Sequence, residues 1–189
     1  MRKGQIKKLI LLIICSVLFA LLAVDIGGVY RTEVLDVGAY RLLHCLESGA
    51  ATGFFKLMTN MVNPVVLIII SLSMMHVLKQ RKYLIVLFLN LLLTVLLNLA
   101  IKGSFVRVRP PEEIRLVAES GYSFPSGHSM VAASFYGFLI FMLRQAPLKS
   151  SGKRVGTVVC MLLILLVGCS RIYLGVHYAT DVIGGFLVS

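Results

Sequence analysis

The chain has 189 residues, of which 58% are hydrophobic and only 14% are charged, and its mean hydropathy is +0.92. These values lie well outside the range of ordinary soluble domains and indicate a membrane protein. The net charge of +11 suits a nucleic-acid partner in principle, but the distribution of the charges along the chain indicates a membrane topology instead, so no nucleic-acid partner is expected.

Apolar stretches long enough to cross a hydrocarbon core, which takes about 20 helical residues, follow one another along the chain. We expect a sixth span to begin near His177 and to be incomplete, because residues 178–189 are only 12. The first stretch follows a basic start and is interpreted as an uncleaved anchor rather than a secretory signal. The five other spans are expected at Leu9–Val24, Met61–Leu78, Tyr83–Ile101, Ser126–Leu143 and Val155–Cys169.

The chain is therefore predicted to be all-α, a polytopic bundle of six transmembrane helices. It forms one integral-membrane domain, residues 1–189, with its motifs within 102–181. Eleven of the 19 Lys and Arg residues lie in the N-terminus and around residues 79–82 and 144–154, with no acidic residue among them. By the positive-inside rule the N-terminus is cytoplasmic and the motif-bearing loops face outward. We expect the protein to be integral to a plasma membrane, that of a bacterium.

Two helical patterns accompany these spans. Residues 32–47 alternate apolar and polar side chains at helical spacing, which predicts a helix at the outer interface, acting as a connector or as a lipid-entry element. Asn90, Thr94 and Asn98 follow one another at i, i+4 spacing in the third span. They share one helix face, which should look into the bundle, either for interhelical packing or as part of a substrate path.

Charged residues cluster after the third span. In KGSFVRVRP, residues 102–110, Lys102 and Arg109 emerge at its outer end, and two prolines stop the helix. Alone, such residues are typical of interfacial anchors. Residues 110–121, PPEEIRLVAESG, predict a short outer helix with a solvated acidic face, formed by Glu112, Glu113 and Glu119.

The segment YSFPSGHSM leads into the fourth span. Pro125 starts the helix, and Ser126, Gly127 and His128 occupy its first turn, where free backbone N–H groups form a cradle for an anion. Gly127 allows an anion to approach the backbone closely. His128 does not activate Ser126 as a nucleophile, because residues two apart on a helix do not face each other. A plain helix cap with an interfacial histidine is the alternative.

The segment SRIYLGVHYATD, residues 170–181, joins the last two spans. Arg171 ends the fifth span, and His177 and Asp181 are four apart, so on a helix beginning near Val176 they share a face. A carboxylate on one ring nitrogen fixes the tautomer and leaves the other nitrogen as a nucleophile. A purely structural pair is the alternative.

All three segments fall on the same expected membrane face. Together they supply three cations, an anion cradle, a proton donor and an oriented nucleophile, which is a set suited to phosphoryl transfer. The sequence contains no HExxH motif or carboxylate cluster that would indicate a metal site.

These segments match the three-part pattern of a known family. The pattern K-x6-RP is matched by residues 102–110, PSGH by residues 125–128, and SR-x5-H-x3-D by residues 170–181. Over about residues 60–189 the sequence resembles the type 2 phosphatidic acid phosphatases, which share an active site with the vanadium haloperoxidases.

The resemblance implies roles for the matching residues. His177 attacks the phosphorus to form a phosphohistidine, Asp181 orients His177, and His128 protonates the leaving oxygen and later activates water. The phosphate oxygens are held by Lys102, Arg109, Ser126, Gly127 and Arg171. The family requires no metal, so we expect no metal and no other cofactor.

The implied activity is that of a membrane lipid phosphatase acting on a phosphomonoester or diphosphate at the outer face. Candidate substrates are undecaprenyl diphosphate, phosphatidylglycerol phosphate, phosphatidic acid and lipid A phosphates. Arg107, two residues before Arg109, is placed to reach a second phosphate and favours the diphosphate, unless it only snorkels to the interface. A lipid phosphotransferase using the same phosphohistidine and a six-span transporter are the alternatives, although a transporter has no need of all three segments.

Overall fold

The structure is a computed structural model that describes residues 3–29, 32–78 and 83–189. The described residues form eight α-helices and contain no β-strand, which confirms the all-α prediction. A short π-helical segment, Asp25–Val29, follows the first helix, and one 3₁₀ turn, Glu112–Ile114, precedes the sixth. The helices are α1 (Lys3–Val24), α2 (Glu33–His44), α3 (Gly49–Asn60), α4 (Pro64–Leu78), α5 (Leu84–Phe105), α6 (Gly127–Gln145), α7 (Ser150–Tyr173) and α8 (Ala179–Val188).

Several of these helices have the length and hydropathy of membrane spans. Among the described residues, three segments qualify singly, namely Gly4–Gly28, Leu84–Phe105 and Ser150–Tyr173. Helices α3 and α4 qualify together as one span broken by a bend of 63°. Large apolar side chains on α1, α5 and α7 are exposed, as is expected of surfaces that meet lipid. A span count of six stays a prediction.

Helix α6 is the central helix of the bundle and contacts α5, α7 and α8. The polar face predicted on α5 does look into the bundle. Asn90 Nδ2 donates to the carbonyl and to the hydroxyl of Ser134, both at 3.3 Å, and Thr94 Oγ1 lies 2.6 Å from Ser134 Oγ. Asn98 Nδ2 donates to the Pro125 carbonyl at 3.1 Å. These bonds fix α5 against the first half of α6, as the packing interpretation requires.

The predicted interfacial helix corresponds to α2, which packs on α7 and α8. Helix α3, which the sequence did not predict, lies along α7. The Phe55 ring stacks on Tyr173 with centroids 4.2 Å apart, and Thr52 Oγ1 lies 2.9 Å from Tyr173 Oη. Small residues dominate the first turns of α3, so the segment carries no strong apolar period of its own, and its packing on α7 stabilises it.

The short helix predicted over residues 110–121 is wrong, because only Glu112–Ile114 form a 3₁₀ turn. The loop instead uses its backbone groups in contacts with other segments, since the Leu116 N–H donates to the Leu174 carbonyl at 3.0 Å. Gly175 makes this approach possible. Its φ is +68°, and a Cβ there would lie 2.2 Å from the Ile114 carbonyl oxygen.

Candidate active site

The three sequence segments meet at one end of the bundle, where α5 and α7 end and α6 and α8 begin. Lys102 and Arg171 lie in the last turns of α5 and α7, so both belong to helices rather than to loops. Ser126 is the N-cap of α6, and its N–H donates to the Asp181 carbonyl at 3.0 Å. This backbone bond joins the start of α6 directly to the first turn of α8.

His177 and Asp181 form the predicted pair, although α8 begins at Ala179, later than the sequence suggested. His177 lies in the loop before the helix, and its Nδ1 is 3.3 Å from Asp181 Oδ2. On the other side of the ring, Nε2 is 3.1 Å from Arg109 Nη1. A guanidinium has only donors, so Nε2 accepts from Arg109 and the ring proton is on Nδ1, facing Asp181.

Asp181 is fully buried and has a partner on every side. Its Oδ2 accepts from the Tyr178 N–H at 2.9 Å and from the Ser123 hydroxyl in a short hydrogen bond. Its Oδ1 accepts from Arg107 Nη1 at 2.6 Å. A buried carboxylate needs this degree of pairing to stay ionised, and the same contacts fix the side chain that orients His177.

Arg109 is placed by its backbone contacts as much as by charge. Its Nε and Nη2 donate to the carbonyls of Ser120 and Gly121, and its Nη1 donates to the Val176 carbonyl at 2.8 Å. Burial lowers the pKa of the guanidinium, Glu119 opposes this shift, and the nearby Arg171 adds to it. The result is a cation held rigidly against the Nε2 of His177.

Arg171 is 2% exposed and pairs with Glu119 through its Nη2. Its Nη1 donates to Thr59 Oγ1 at 2.7 Å, and its Nε is buried without a hydrogen-bond partner among the described residues. Burial alone would raise the pKa of Glu119, but Arg171 and Arg109 together hold it below its ordinary value. The prediction of a solvated face is therefore wrong for Glu119, which carries its charge between two arginines.

Arg107 has a different environment from the one that the sequence suggested. Its guanidinium forks between Asp181 and Asp36, with Nη2 2.8 Å from Asp36 Oδ2, and it lies 4.2 Å from the centre of the Tyr178 ring. Burial would lower the pKa of Arg107, but the two carboxylates raise it overall. Both of its terminal nitrogens are bound by carboxylates in this structure, and its contact with a second phosphate stays a prediction.

The remaining predicted residues surround the same space. Lys102 Nζ donates to the Tyr122 carbonyl in a short hydrogen bond, and Lys102 lies within electrostatic reach of Arg109, Asp181 and Arg171. His128, half-buried, lies within electrostatic reach of Arg171, Glu119 and His177. A Cβ on Gly127 would lie 3.1 Å from Asn98 Oδ1, so glycine lets the start of α6 lie against α5.

Sequence reasoning missed four polar residues that support this site. Ser123 binds Asp181, and Asp36 binds Arg107. Thr59 binds Arg171, and Thr180 donates both its N–H and its hydroxyl to Asp36. For Ser123 a signal was present, because it lies two residues before the PSGH segment. Asp36 and Thr59 lie far from the motifs along the chain and carry no comparable signal.

Comparison with known proteins places the site in a family. The PAP2 superfamily profile matches residues 83–189. Phosphatidylglycerophosphatase B of Bacillus subtilis (strain 168) is 47% identical over 92 residues, which are 48% of this chain and 45% of that protein. The matched segment thus spans less than half the length of that relative.

Two solved structures share the fold. The transmembrane PAP2-type phosphatidylglycerolphosphate phosphatase from Bacillus subtilis aligns with a TM-score of 0.82 and 29% identity, over 94% of this chain and 89% of that one. LpxE from Aquifex aeolicus aligns with a TM-score of 0.66 and 24% identity, over 82% of this chain and 89% of that one, and shows the fold alone.

The bundle is therefore that of a helical membrane protein whose motif-bearing half coincides with a phosphatase family profile. The chain belongs to the PAP2 superfamily.

Proposed function

We propose that the protein is a membrane lipid phosphatase that removes a phosphoryl group from a lipid through a phosphohistidine on His177. The observation that carries this proposal is the position of the His177 ring between Asp181 at Nδ1 and Arg109 at Nε2. One ring nitrogen is tied to a carboxylate and the other faces a cation that suits a phosphoryl oxygen. Such an arrangement is suited to nucleophilic attack on phosphorus.

In the first step, Nε2 of His177 forms a bond to phosphorus while the bond from phosphorus to the lipid oxygen breaks. The imidazole then carries a positive charge, which Asp181 stabilises across the Nδ1–H bond. His128 donates a proton to the departing oxygen, so the lipid leaves as an alcohol or, from a diphosphate, as a monophosphate. In the second step, His128 takes a proton from water, which attacks phosphorus, breaks the N–P bond and releases orthophosphate.

The surrounding cations supply the electrostatic stabilisation. Arg109 contacts His177, Arg171 lies within electrostatic reach of His177, and Lys102 lies within electrostatic reach of both arginines. The α6 N-terminus adds backbone N–H donors. Phosphate-monoester hydrolysis has one of the highest uncatalysed barriers known, with enzymatic accelerations of up to about 10²¹-fold. The removal of one preorganised donor costs about 10²- to 10³-fold in rate in other enzymes, so every cation of this set matters.

An apolar groove of about 500 Å³ supports a lipid substrate. It opens between α4, α5 and α6, and its lining includes Val62, Val95 and Val131. The three valines lie three residues along the chain from Thr59, which binds Arg171, from Asn98, which binds Pro125, and from His128. A hydrocarbon chain in this groove would therefore lie next to elements that also carry residues of the site.

Phosphatidylglycerol phosphate is the substrate that we favour among the candidates. The B. subtilis sequence match and the B. subtilis solved structure both carry that activity in their names. Arg107, the residue that favoured a diphosphate, is bound by Asp36 and Asp181. The charge distribution supports an active site that faces outward. The basic residues at 144–154 begin at Arg144, near the far end of α6 from His128, about 24 Å away along the helix axis. Of the 19 Lys and Arg residues, Arg2, Arg31, Lys79, Arg81 and Lys82 lie outside the described residues.

The test is release of inorganic phosphate by the purified protein in lipid nanodiscs, with phosphatidylglycerol phosphate, phosphatidic acid and undecaprenyl diphosphate compared at equal surface density. We expect phosphatidylglycerol phosphate to be hydrolysed fastest. Absence of phosphate release from all three would contradict the phosphatase assignment. A phosphorylated lipid product instead of free phosphate would indicate the phosphotransferase.

A further inference from the structure

Glu119 lies between two of the cations that we assign to phosphate binding. Its Oε2 accepts from Arg171 Nη2, and its Oε1 is 3.7 Å from Arg109 Nη2. Lys102 and His128 are also within electrostatic reach of this carboxylate. The groups that would face the oxygens of a bound phosphate therefore face the oxygens of Glu119.

Burial explains why a carboxylate occupies this position. The side chains of Arg171 and Arg109 are 2% and 5% exposed, and a buried cation without a counter-charge is strongly unfavourable. In the absence of a substrate the arginines need an anion. Glu119 supplies one, and its lowered pKa keeps it charged near neutral pH.

Glu119 is nevertheless placed to move. Its side chain is 28% exposed, whereas that of Asp181 is 0% exposed. The backbone that follows it is held independently, because Arg109 binds the carbonyls of Ser120 and Gly121. The carboxylate can thus rotate toward solvent while the loop and Arg109 stay in position.

We propose that Glu119 is a displaceable carboxylate that occupies the phosphate position in the substrate-free site and competes with phosphate for Arg171 and Arg109. The inference rests on the proposed function, since it takes the two arginines as phosphate ligands. Each phosphoryl group that enters displaces Glu119, and Glu119 returns as orthophosphate leaves. The residue lowers the affinity of the site for its product and thereby assists release.

The experiment compares orthophosphate binding to wild-type protein, Glu119→Gln and Glu119→Ala in phosphatidylcholine nanodiscs, by titration calorimetry. The matched control is Glu113→Gln, which removes a charge from an exposed glutamate of the same loop. We expect both Glu119 variants to bind orthophosphate about tenfold more tightly than wild type, because the competing charge is gone. Glu113→Gln should bind it like wild type.

Unchanged or weaker orthophosphate binding by the Glu119 variants would overturn the proposal and assign Glu119 to positioning the arginines. Failure of both variants to fold would also overturn it, since a carboxylate displaced at every turnover cannot be essential to the fold. The proposed function is tested separately, by measuring lipid hydrolysis by the wild-type protein. A protein that hydrolyses its lipid but shows no gain in phosphate affinity on loss of Glu119 refutes only the role of Glu119.

Discussion

Arg107 forms a buried ion pair with Asp181, with Nη1 2.6 Å from Oδ1. The same guanidinium binds Asp36 on α2, so one side chain connects α2 to the carboxylate that orients His177. Arg107 does not contact the ring of His177 in any of its hydrogen bonds within the described residues. We therefore interpret it as a positioning residue that acts through Asp181.

Replacement of Arg107 is expected to impair both stability and catalysis. Arg107→Ala leaves two buried carboxylates without their cation, a change that typically costs about 3–5 kcal/mol. Arg107→Lys keeps the charge but cannot fork between Asp36 and Asp181, so it should restore part of the activity. The measurements are thermal unfolding and kcat against pH, in which the acid limb should move to higher pH as Asp181 becomes easier to protonate. Arg41→Ala, at an exposed position of α2, is the control and should resemble wild type.

His177→Ala is expected to abolish turnover and the phosphoenzyme together, because it removes the atom that bonds to phosphorus. The measurement is acid-labile, base-stable labelling of the protein after a brief exposure to a lipid with a ³²P-labelled phosphoryl group. His44→Ala, which changes a histidine paired with Glu47 at the surface, should leave the labelling intact. Wild-type rates in His177→Ala would refute the nucleophile assignment.

Gly175→Ala is expected to destabilise the protein by at least about 2 kcal/mol and to reduce activity in proportion. The added Cβ meets the Ile114 carbonyl, and φ at this position is +68°, so both the packing and the backbone conformation oppose it. Thermal unfolding in detergent measures the effect. Gly152→Ala, at a position with open space around the Cβ, should be neutral or slightly stabilising. Equal melting temperatures for the two variants would argue against the close approach at Gly175.

Chelation is expected to leave the activity unchanged. In the proposed mechanism Arg109, Arg171 and Lys102 neutralise the phosphoryl oxygens, so no step depends on a divalent cation. Phosphate release should be the same with and without EDTA after dialysis against the chelator. Complete inhibition that added Mg²⁺ reverses would contradict the mechanism.

Most residues of the candidate site could be predicted from the three sequence motifs. The site residues stand at short spacings within three segments, and each segment lies where a predicted span begins or ends. Their proximity therefore follows once the span ends are known to lie on one membrane face. These residues are Lys102, Arg109, His128, Arg171, His177 and Asp181. The pairing of His177 with Asp181 was correct even though its helical basis was not, because a residue just before a helix also faces the N3 position.

The other residues of the site could not be predicted, because they are defined by contacts between residues far apart along the chain. Such contacts leave no pattern in the local sequence. Asp36 bonds to Thr180 across 144 positions, and Arg171 bonds to Thr59 across 112. Glu119 resembled any exposed acid in its segment until the fold placed it beside Arg171. Helix α3 depends on packing against α7, which a count of apolar residues within 49–60 does not show.

The bond between Asp36 and Thr180 has a consequence for protein engineering. Asp36 lies outside the segment of residues 83–189 that matches the family. It nevertheless accepts hydrogen bonds from the N–H and the hydroxyl of Thr180 and from one terminal nitrogen of Arg107. The motif-bearing half is therefore not a portable module. A chimera that joins residues 83–189 to the front half of another protein must supply an acid at the place of Asp36. Otherwise three donors of the transplanted segment lose their acceptor, namely the Thr180 N–H, the Thr180 hydroxyl and Arg107 Nη2.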